Sequence, residues 1–291
     1  MNAPKWIFAY SQGSEASYEA LIRVAVASAR GCTSLQPTCL YDGEPTKLTS
    51  WLESQNVQVV PCRSTLHGCI EKLARQRSDA TVLTIGRGAF LRFEIPRIAR
   101  EQGWNNEFVF YSDCDVMFQS DPAPILQPLR PHIFAAAPEH SPTSPLHMNS
   151  GAMWMNMREW ERQSTELVCW TERHFERVWN AAWDQGALRV FFNPLHRTLW
   201  EIGVPDRIGY GLMSRLPFKT WKWDDLPNEL NWKPYWGENH EAPLIHFHGP
   251  KPGQRELLDR GELPAHLAEL DGTSFRTYAA QWDEWLKKTR S

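Results

Sequence analysis

The chain has 291 residues and a formal net charge of −3, with 22% charged and 42% hydrophobic residues; this is ordinary for a soluble globular protein and long enough for one large buried core. No basic run is present, which argues against nucleic acid as a partner, and no apolar stretch approaches the ~18 residues of a membrane span. The N-terminus lacks a signal-peptide layout and the six cysteines show no C-x-x-C spacing, so reduced thiols and a cytoplasmic location are expected.

In chain order, Lys5–Tyr10 reads as a strand, Ser11–Glu15 as a polar turn, and Tyr18–Ala29 as a helix with a wide apolar face capped by Gly31. Thr38–Tyr41 and Val57–Val60 are further strands, with a short helix over Thr46–Gln55 between them. This alternation predicts an α/β protein with a mostly parallel central sheet and right-handed crossovers. The first β–α turn has no G-x-G-x-x-G, so a dinucleotide fingerprint is absent. Gly88–Arg100 follows as a helix interrupted by Pro96, with Arg92 on it.

Phe108–Phe118 carries the strongest chemical signal. An apolar strand ends at Ser112 and hands over to Asp113 and Asp115, one residue apart. The C-terminal edge of a strand is where open α/β sheets bind their ligands. Two carboxylates this close repel unless a cation lies between them, which points to a hard divalent metal. A solvated turn is the bland alternative for an Asp-x-Asp, and the apolar residues on both flanks weigh against it.

Ile133–Ala137 is another buried strand, and Pro138–Pro145, with three prolines, is a loop placed to cover the site. Asn149, Ser150 and Gly151 open a further apolar strand, where glycine permits close backbone approach to a ligand. Arg158–Trp179 has helical period, and Asp184-Gln185 opens the next helix. Asn193–Tyr235, rich in Pro, Trp and Gly, shows little periodicity and is expected to wrap the sheet on an acceptor side. Leu244–Pro252 presents His246 and His248 from a short strand and Lys251 between two prolines. Phe275, Tyr278, Trp282 and Trp285 share one face of a last helix, suited to packing on the body. The 15 tryptophans suit core filling and sugar stacking equally, and the sequence leaves both open.

Taken in order, Asp113-Cys-Asp115, Asn149-Ser-Gly151, Asp184-Gln185 and His246-Phe-His-Gly-Pro-Lys251 resemble the retaining glycosyltransferases of the GT-A fold. The closest likeness is to glycosyltransferase family 8, with its lipopolysaccharide galactosyl- and glucosyltransferases and glycogenin. It runs from the first strand to Pro252. The resemblance implies a GT-A, Rossmann-like nucleotide-diphospho-sugar transferase fold in a single domain over 1–291. Within it, 1–120 would be the nucleotide-sugar half, 121–255 the acceptor and catalytic half, and 256–291 a C-terminal helical segment.

Position by position, the resemblance implies Mn²⁺ or Mg²⁺ on Asp113, Asp115 and His246. It implies donor contacts from Ala9, Arg92, Asp113, Gly249 and Lys251, and places Asn149, Asp184 and Gln185 around the transferred sugar. Leu226-Pro-Asn-Glu-Leu-Asn231 resembles the family's Leu-Pro-x-x-x-Asn. Three stretches depart from the pattern. Ala9 precedes Tyr10-Ser-Gln-Gly13 where an Asp or Asn usually reads uracil, Gly253 replaces the Trp after Lys-Pro, and Arg189 stands where an Asn often follows Asp-Gln.

The expected activity is transfer of a hexose, with retention, from a nucleoside diphosphate sugar to a saccharide or glycolipid acceptor. UDP-glucose and UDP-galactose are the expected donors, and contact with the inner face of a membrane would be peripheral. The rivals are a metal-dependent phosphohydrolase, since Asp-x-Asp also opens those sites, and a non-catalytic sugar-nucleotide-binding scaffold.

Overall fold

The computed structural model describes residues 3–289. Its first half follows the hydrophobic pattern: β1 (Lys5–Ser11), α1 (Glu15–Cys32), β2 (Gln36–Asp42), α2 (Lys47–Ser54) and β3 (Gln58–Pro61). Helix α2 starts at a reciprocal cap, in which Thr46 Oγ1 accepts the Thr49 N–H at 3.3 Å and Thr49 Oγ1 accepts the Thr46 N–H at 2.8 Å. Gly31 is not the cap of α1. It lies in the last turn, and Thr33 ends the helix. A Cβ at 31 would stand 2.5 Å from the Trp285 ring, so glycine there admits the C-terminal helix.

Next come α3 (His67–Arg77), α4 (Ala80–Ala89), α5 (Ile95–Glu101), β4 (Phe108–Ser112) and β5 (Val116–Phe118). The helix expected over 88–100 is two helices joined by a 3-10 turn at Phe90–Glu94. Pro96 sits in the first turn of α5, where its missing N–H costs nothing, so it begins a helix instead of interrupting one. The chain continues through α6 (Ala123–Leu126), β6 (Phe134–Pro138), β7 (Met148–Asn156), α7 (Met157–Arg173) and α8 (Phe175–Asn180), with His174 breaking the single helix expected over 158–179. Helices α9 (Trp183–Phe191), α10 (Pro194–Glu201) and α11 (Asp206–Met213) follow, the last two inside the stretch expected to lack periodicity. Strands β8 (Asp224–Asp225) and β9 (Leu244–His246) and helices α12 (Arg255–Asp259), α13 (Ala265–Ala268) and α14 (Phe275–Lys288) complete it.

The main sheet has the order β3-β2-β1-β4-β7-β6-β8. It is parallel throughout except where β7 lies antiparallel to both β4 and β6. That reversal brings the start of β7 beside the C-terminal end of β4, and the Asp113 N–H donates to the Gly151 carbonyl at 2.9 Å. A second, two-stranded sheet pairs β5 with β9 and sets His246 opposite Val116. The topology alone therefore gathers both aspartates, Asn149 and His246 at one edge.

Trp160, Trp170, Trp200 and Trp223 are fully buried and Trp154 and Trp179 nearly so. They fill the core. The expected face of α14 is buried as well, with Phe275, Tyr278 and Trp282 against α1 and the β9 region. Among the described residues no helix is long and apolar enough to cross a membrane.

Candidate active site

The 3-10 turn before α5 delivers Arg92 to the sheet edge, where it is 3% exposed. Its Nη2 donates to Asp113 Oδ1 at 2.7 Å, its Nη1 to the Ser150 carbonyl at 2.6 Å, and its Nε lies 2.9 Å from Asp184 Oδ2. The guanidinium also covers the Tyr111 ring at 4.3 Å from its centroid. One buried cation thus joins the acid that follows β4 to the acid that opens α9. Burial disfavours the charged form of Asp184 and raises its pKa to about 6, against the pull of Arg92.

Asp113, Asp115 and His246 each offer a ligand atom, and these atoms lie within 4.8 Å of one another. Lys251 Nζ donates to Asp115 Oδ2 at 2.5 Å and to the Phe247 carbonyl at 2.6 Å. Burial opposes ionisation of Asp115, but Lys251 and then His246 outweigh it and hold the carboxyl well below its ordinary range. The other oxygen, Asp115 Oδ1, is buried without a hydrogen bond and faces His246 Nε2 at 3.3 Å.

The histidine tautomer follows from its neighbours. Asn231 Nδ2 donates to Asn149 Oδ1 at 3.0 Å, which turns Asn231 Oδ1 toward His246 Nδ1 at 2.8 Å. The Nδ1–H therefore donates to Asn231, and in the neutral ring Nε2 presents a lone pair to Asp115 Oδ1. Nε2 is therefore the nitrogen left to face Asp115 Oδ1, 3.3 Å away. Two carboxylates and an imidazole whose second nitrogen is already hydrogen-bonded suit Mn²⁺ or Mg²⁺, the imidazole favouring Mn²⁺. Gly151 makes the arrangement possible, because a Cβ there would collide with the His246 ring and stand 2.8 Å from Asn149 Oδ1.

Helix α9 starts from two consecutive left-handed residues, Ala182 (φ 75°) and Trp183 (φ 56°). Ala182 holds the N-cap position, so Asp184 is not a cap; it lies in the first turn and points at Arg92. Gln185 Oε1 accepts from the Ser150 N–H at 2.9 Å and from Asn149 Nδ2 at 3.0 Å. Its Nε2 donates to Glu139 Oε1 at 2.7 Å.

Glu139 is the member that sequence reasoning missed, for its only signal was one acid in a proline-rich loop. It pairs with Arg189 and lies 3.3 Å from His140 and 3.4 Å from His248. Burial opposes its charge, but the bonds to His140 and His248 and the Arg189 guanidinium hold it well below its ordinary range. Burial also pushes His248 down to about 4, so it is neutral at pH 7. Arg189, a departure from the family pattern, is explained as the partner of Glu139.

A cleft runs beside these groups, lined by Ala9, Tyr10, Tyr18, Gly88, Arg92, Asp113, Asp115, Trp183 and Asp184 among others. Ala9, Arg92 and Asp113, the residues expected at the donor, line this cleft. Gly249 faces away, against Leu270, and Lys251 is folded onto Asp115. Tyr18 and Trp183 carried no sequence signal that separated them from core aromatics.

No protein-family model and no curated protein matches the sequence. Solved structures match in fold. The galactosyltransferase LgtC, in complex with donor and acceptor sugar analogues, aligns with a TM-score of 0.58 at 14% identity, over 98% of this chain and 95% of its own. The apo glycosyltransferase GlyE of Streptococcus pneumoniae TIGR4 aligns at 0.55 and 17% identity over 99% of this chain, which spans only 64% of the GlyE chain. Mouse xyloside xylosyltransferase 1 aligns at 0.50 and 12% identity, over 84% of this chain and 97% of its own. The chain has the GT-A fold of these glycosyltransferases.

Proposed function

We propose that this chain is a metal-dependent, retaining hexosyltransferase that uses a nucleoside diphosphate sugar, UDP-glucose or UDP-galactose, and a saccharide or glycolipid acceptor. The observation that carries the reading is the convergence of Asp115 Oδ1 and His246 Nε2, 3.3 Å apart, with Asp113 beside them and the Arg92–Asp184 pair adjacent. A divalent ion on these three ligands would supply Lewis-acid stabilisation of the leaving diphosphate.

The remaining roles fall to the chain's own groups. Lys251 adds a point charge for the diphosphate, with the Gly249 turn beside it. Ala9, Arg92 and Asp113 hold the nucleotide end on the cleft. Asp184 is mostly ionised at pH 7, with a pKa of about 6, and orients sugar hydroxyls together with Asn149. Gln185 is a poor nucleophile, and its carbonyl oxygen is tied to Ser150 and Asn149. Retention therefore fits front-face attack: the acceptor oxygen bonds to the anomeric carbon as the bond to the diphosphate breaks, and the hydroxyl proton passes to the departing phosphate oxygen.

The test is thermal unfolding with UDP-, GDP-, ADP- and dTDP-sugars, with and without Mn²⁺. A ligand at 100-fold over its Kd should stabilise the native state by about 2.7 kcal/mol. Metal-dependent stabilisation by UDP-sugars, lost in Asp115→Ala, is expected. Indifference to every sugar nucleotide would sink the reading.

A further inference from the structure

Every large hydrophobic side chain that is exposed among the described residues falls between residues 183 and 218: Trp183, Leu195, Ile202, Ile208, Leu212 and Phe218. The centre of this cluster is α11. Its inner side is fixed, because Gly209 and Met213 are buried and the Tyr210 ring lies 4.6 Å from both the His147 and the His196 rings. Ile208 (54% exposed) and Leu212 (49%), one turn apart, must then face outward. Exposed Arg207, Gly211 and Arg215 share that side, and Phe218, 63% exposed, follows with Lys219.

The outward side of α11 carries the basic residues Arg207 and Arg215. Residues 202–222 carry Arg207, Arg215, Lys219 and Lys222 against one carboxylate, Asp206, on a chain of net charge −3. Asp206 is already paired with His196 at 3.0 Å, and Lys219 lies 4.0 Å from Asp224. Among the described residues no carboxylate pairs with Arg207 or Arg215. An ordinary surface helix shows solvent its polar face; this one shows apolar side chains rimmed by unpaired cations.

We propose that this face docks on an anionic lipid bilayer. Ile208, Leu212 and Phe218 enter the boundary between headgroups and acyl chains, while Arg207 and Arg215 lie among the phosphates. Charge complementarity selects this occupant. A two-fold contact with a second copy would set each arginine rim near its own image, and a neutral apolar partner would leave the arginines unpaired. The face is also joined to the candidate site, since Tyr210 packs on His147, two residues before Asn149. On the glycosyltransferase reading, and only for this last step, the docked lobe would present the cleft to a lipid-linked sugar acceptor.

The test is co-sedimentation of the full chain with phosphatidylcholine vesicles, with and without phosphatidylglycerol. The chain should pellet with the anionic vesicles and be released by salt. Replacing Ile208, Leu212 and Phe218 together by Ser should lower the partition coefficient by about 30-fold or more. Arg207→Glu with Arg215→Glu should lower it by about 10- to 100-fold. All five side chains are exposed, so unchanged melting temperatures should accompany both losses. The readout needs no turnover, so it stands or falls apart from the catalytic reading. Failure of the native chain to pellet, or equal pelleting of native and variant chains, would overturn the proposal. So would a concentration-dependent dimer in sedimentation velocity that the Ser variant abolishes, since that assigns the face to a second copy.

Discussion

Glu139 Oε1 accepts the Gln185 amide N–H at 2.7 Å, and this bond decides which end of the amide faces Ser150. Glu139→Gln keeps the shape but removes the charge that balances buried Arg189. We expect a loss of about 3 kcal/mol in chemical denaturation. Adding Arg189→Met should recover most of that stability. Transfer should stay low in the double variant, because the Gln185 amide N–H has then lost its charged acceptor; recovery of transfer would show that Glu139 acts only on the fold.

Asn231 fixes the His246 tautomer through the bond to Nδ1 at 2.8 Å. Outer partners of this kind typically contribute a factor of about 10–100 in metal affinity. Calorimetric titration with Mn²⁺ should show that loss in Asn231→Leu, while Asn231→Asp, which keeps an acceptor, should bind nearly as the native chain does. Equal affinity for all three would show that the bond from His246 to Asn231 does not tune metal binding.

Asp184, raised from 3.8 to about 6, keeps its proton in the folded chain where the unfolded chain has lost it. The native state therefore binds more protons between about pH 4 and 6, and this group's contribution to stability falls as pH rises through that window. At about 1.4 kcal/mol per unit the change is about 3 kcal/mol. Asp184→Asn lacks it, so the variant should gain on the native chain by that amount between pH 4 and 7. Parallel stability curves would show an ordinary carboxyl.

The turn into α9 reverses the usual helix rules. Ala182 is left-handed, and Ala182→Gly should stabilise the fold by about 1 kcal/mol. Gly186 has no room for a Cβ, which would strike the Ala181 carbonyl. Gly186→Ala should cost about 1–3 kcal/mol despite the better helix propensity of alanine. Melting temperatures of the two variants, moving in opposite directions, check both.

The strands of the first half, the Asp-x-Asp edge and the His246–Lys251 stretch were legible because period and spacing are local properties. Helices α10 and α11 were not. Each is eight residues long, they are separated by Gly203 and Pro205, and α11 carries a glycine, Gly209, where it meets α10 and apolar residues on its outer side, so the inside–outside alternation that marks a helix is scrambled. Gly31 read as a cap because its partner, Trp285, lies at the far end of the chain. Glu139 and the roles of Asn231 and Arg189 were hidden for the same reason: each is defined by what the antiparallel β7 and the β5–β9 pair bring next to it. The tryptophans divide between core and surface by tertiary position alone.

Arg92 rests on Asp113 and Lys251 on Asp115, so both acids of the pair are already neutralised by the chain's own cations. On the proposed reading, a divalent ion entering here would take Asp115 Oδ1, the oxygen left without a hydrogen bond, and would compete with the Lys251 ammonium for the charge of that carboxylate. An ammonium loosened in that competition would then be free for the diphosphate of the proposed donor. One lysine thus makes each ligand ease the entry of the other, and metal and nucleotide should bind together more tightly than either binds alone.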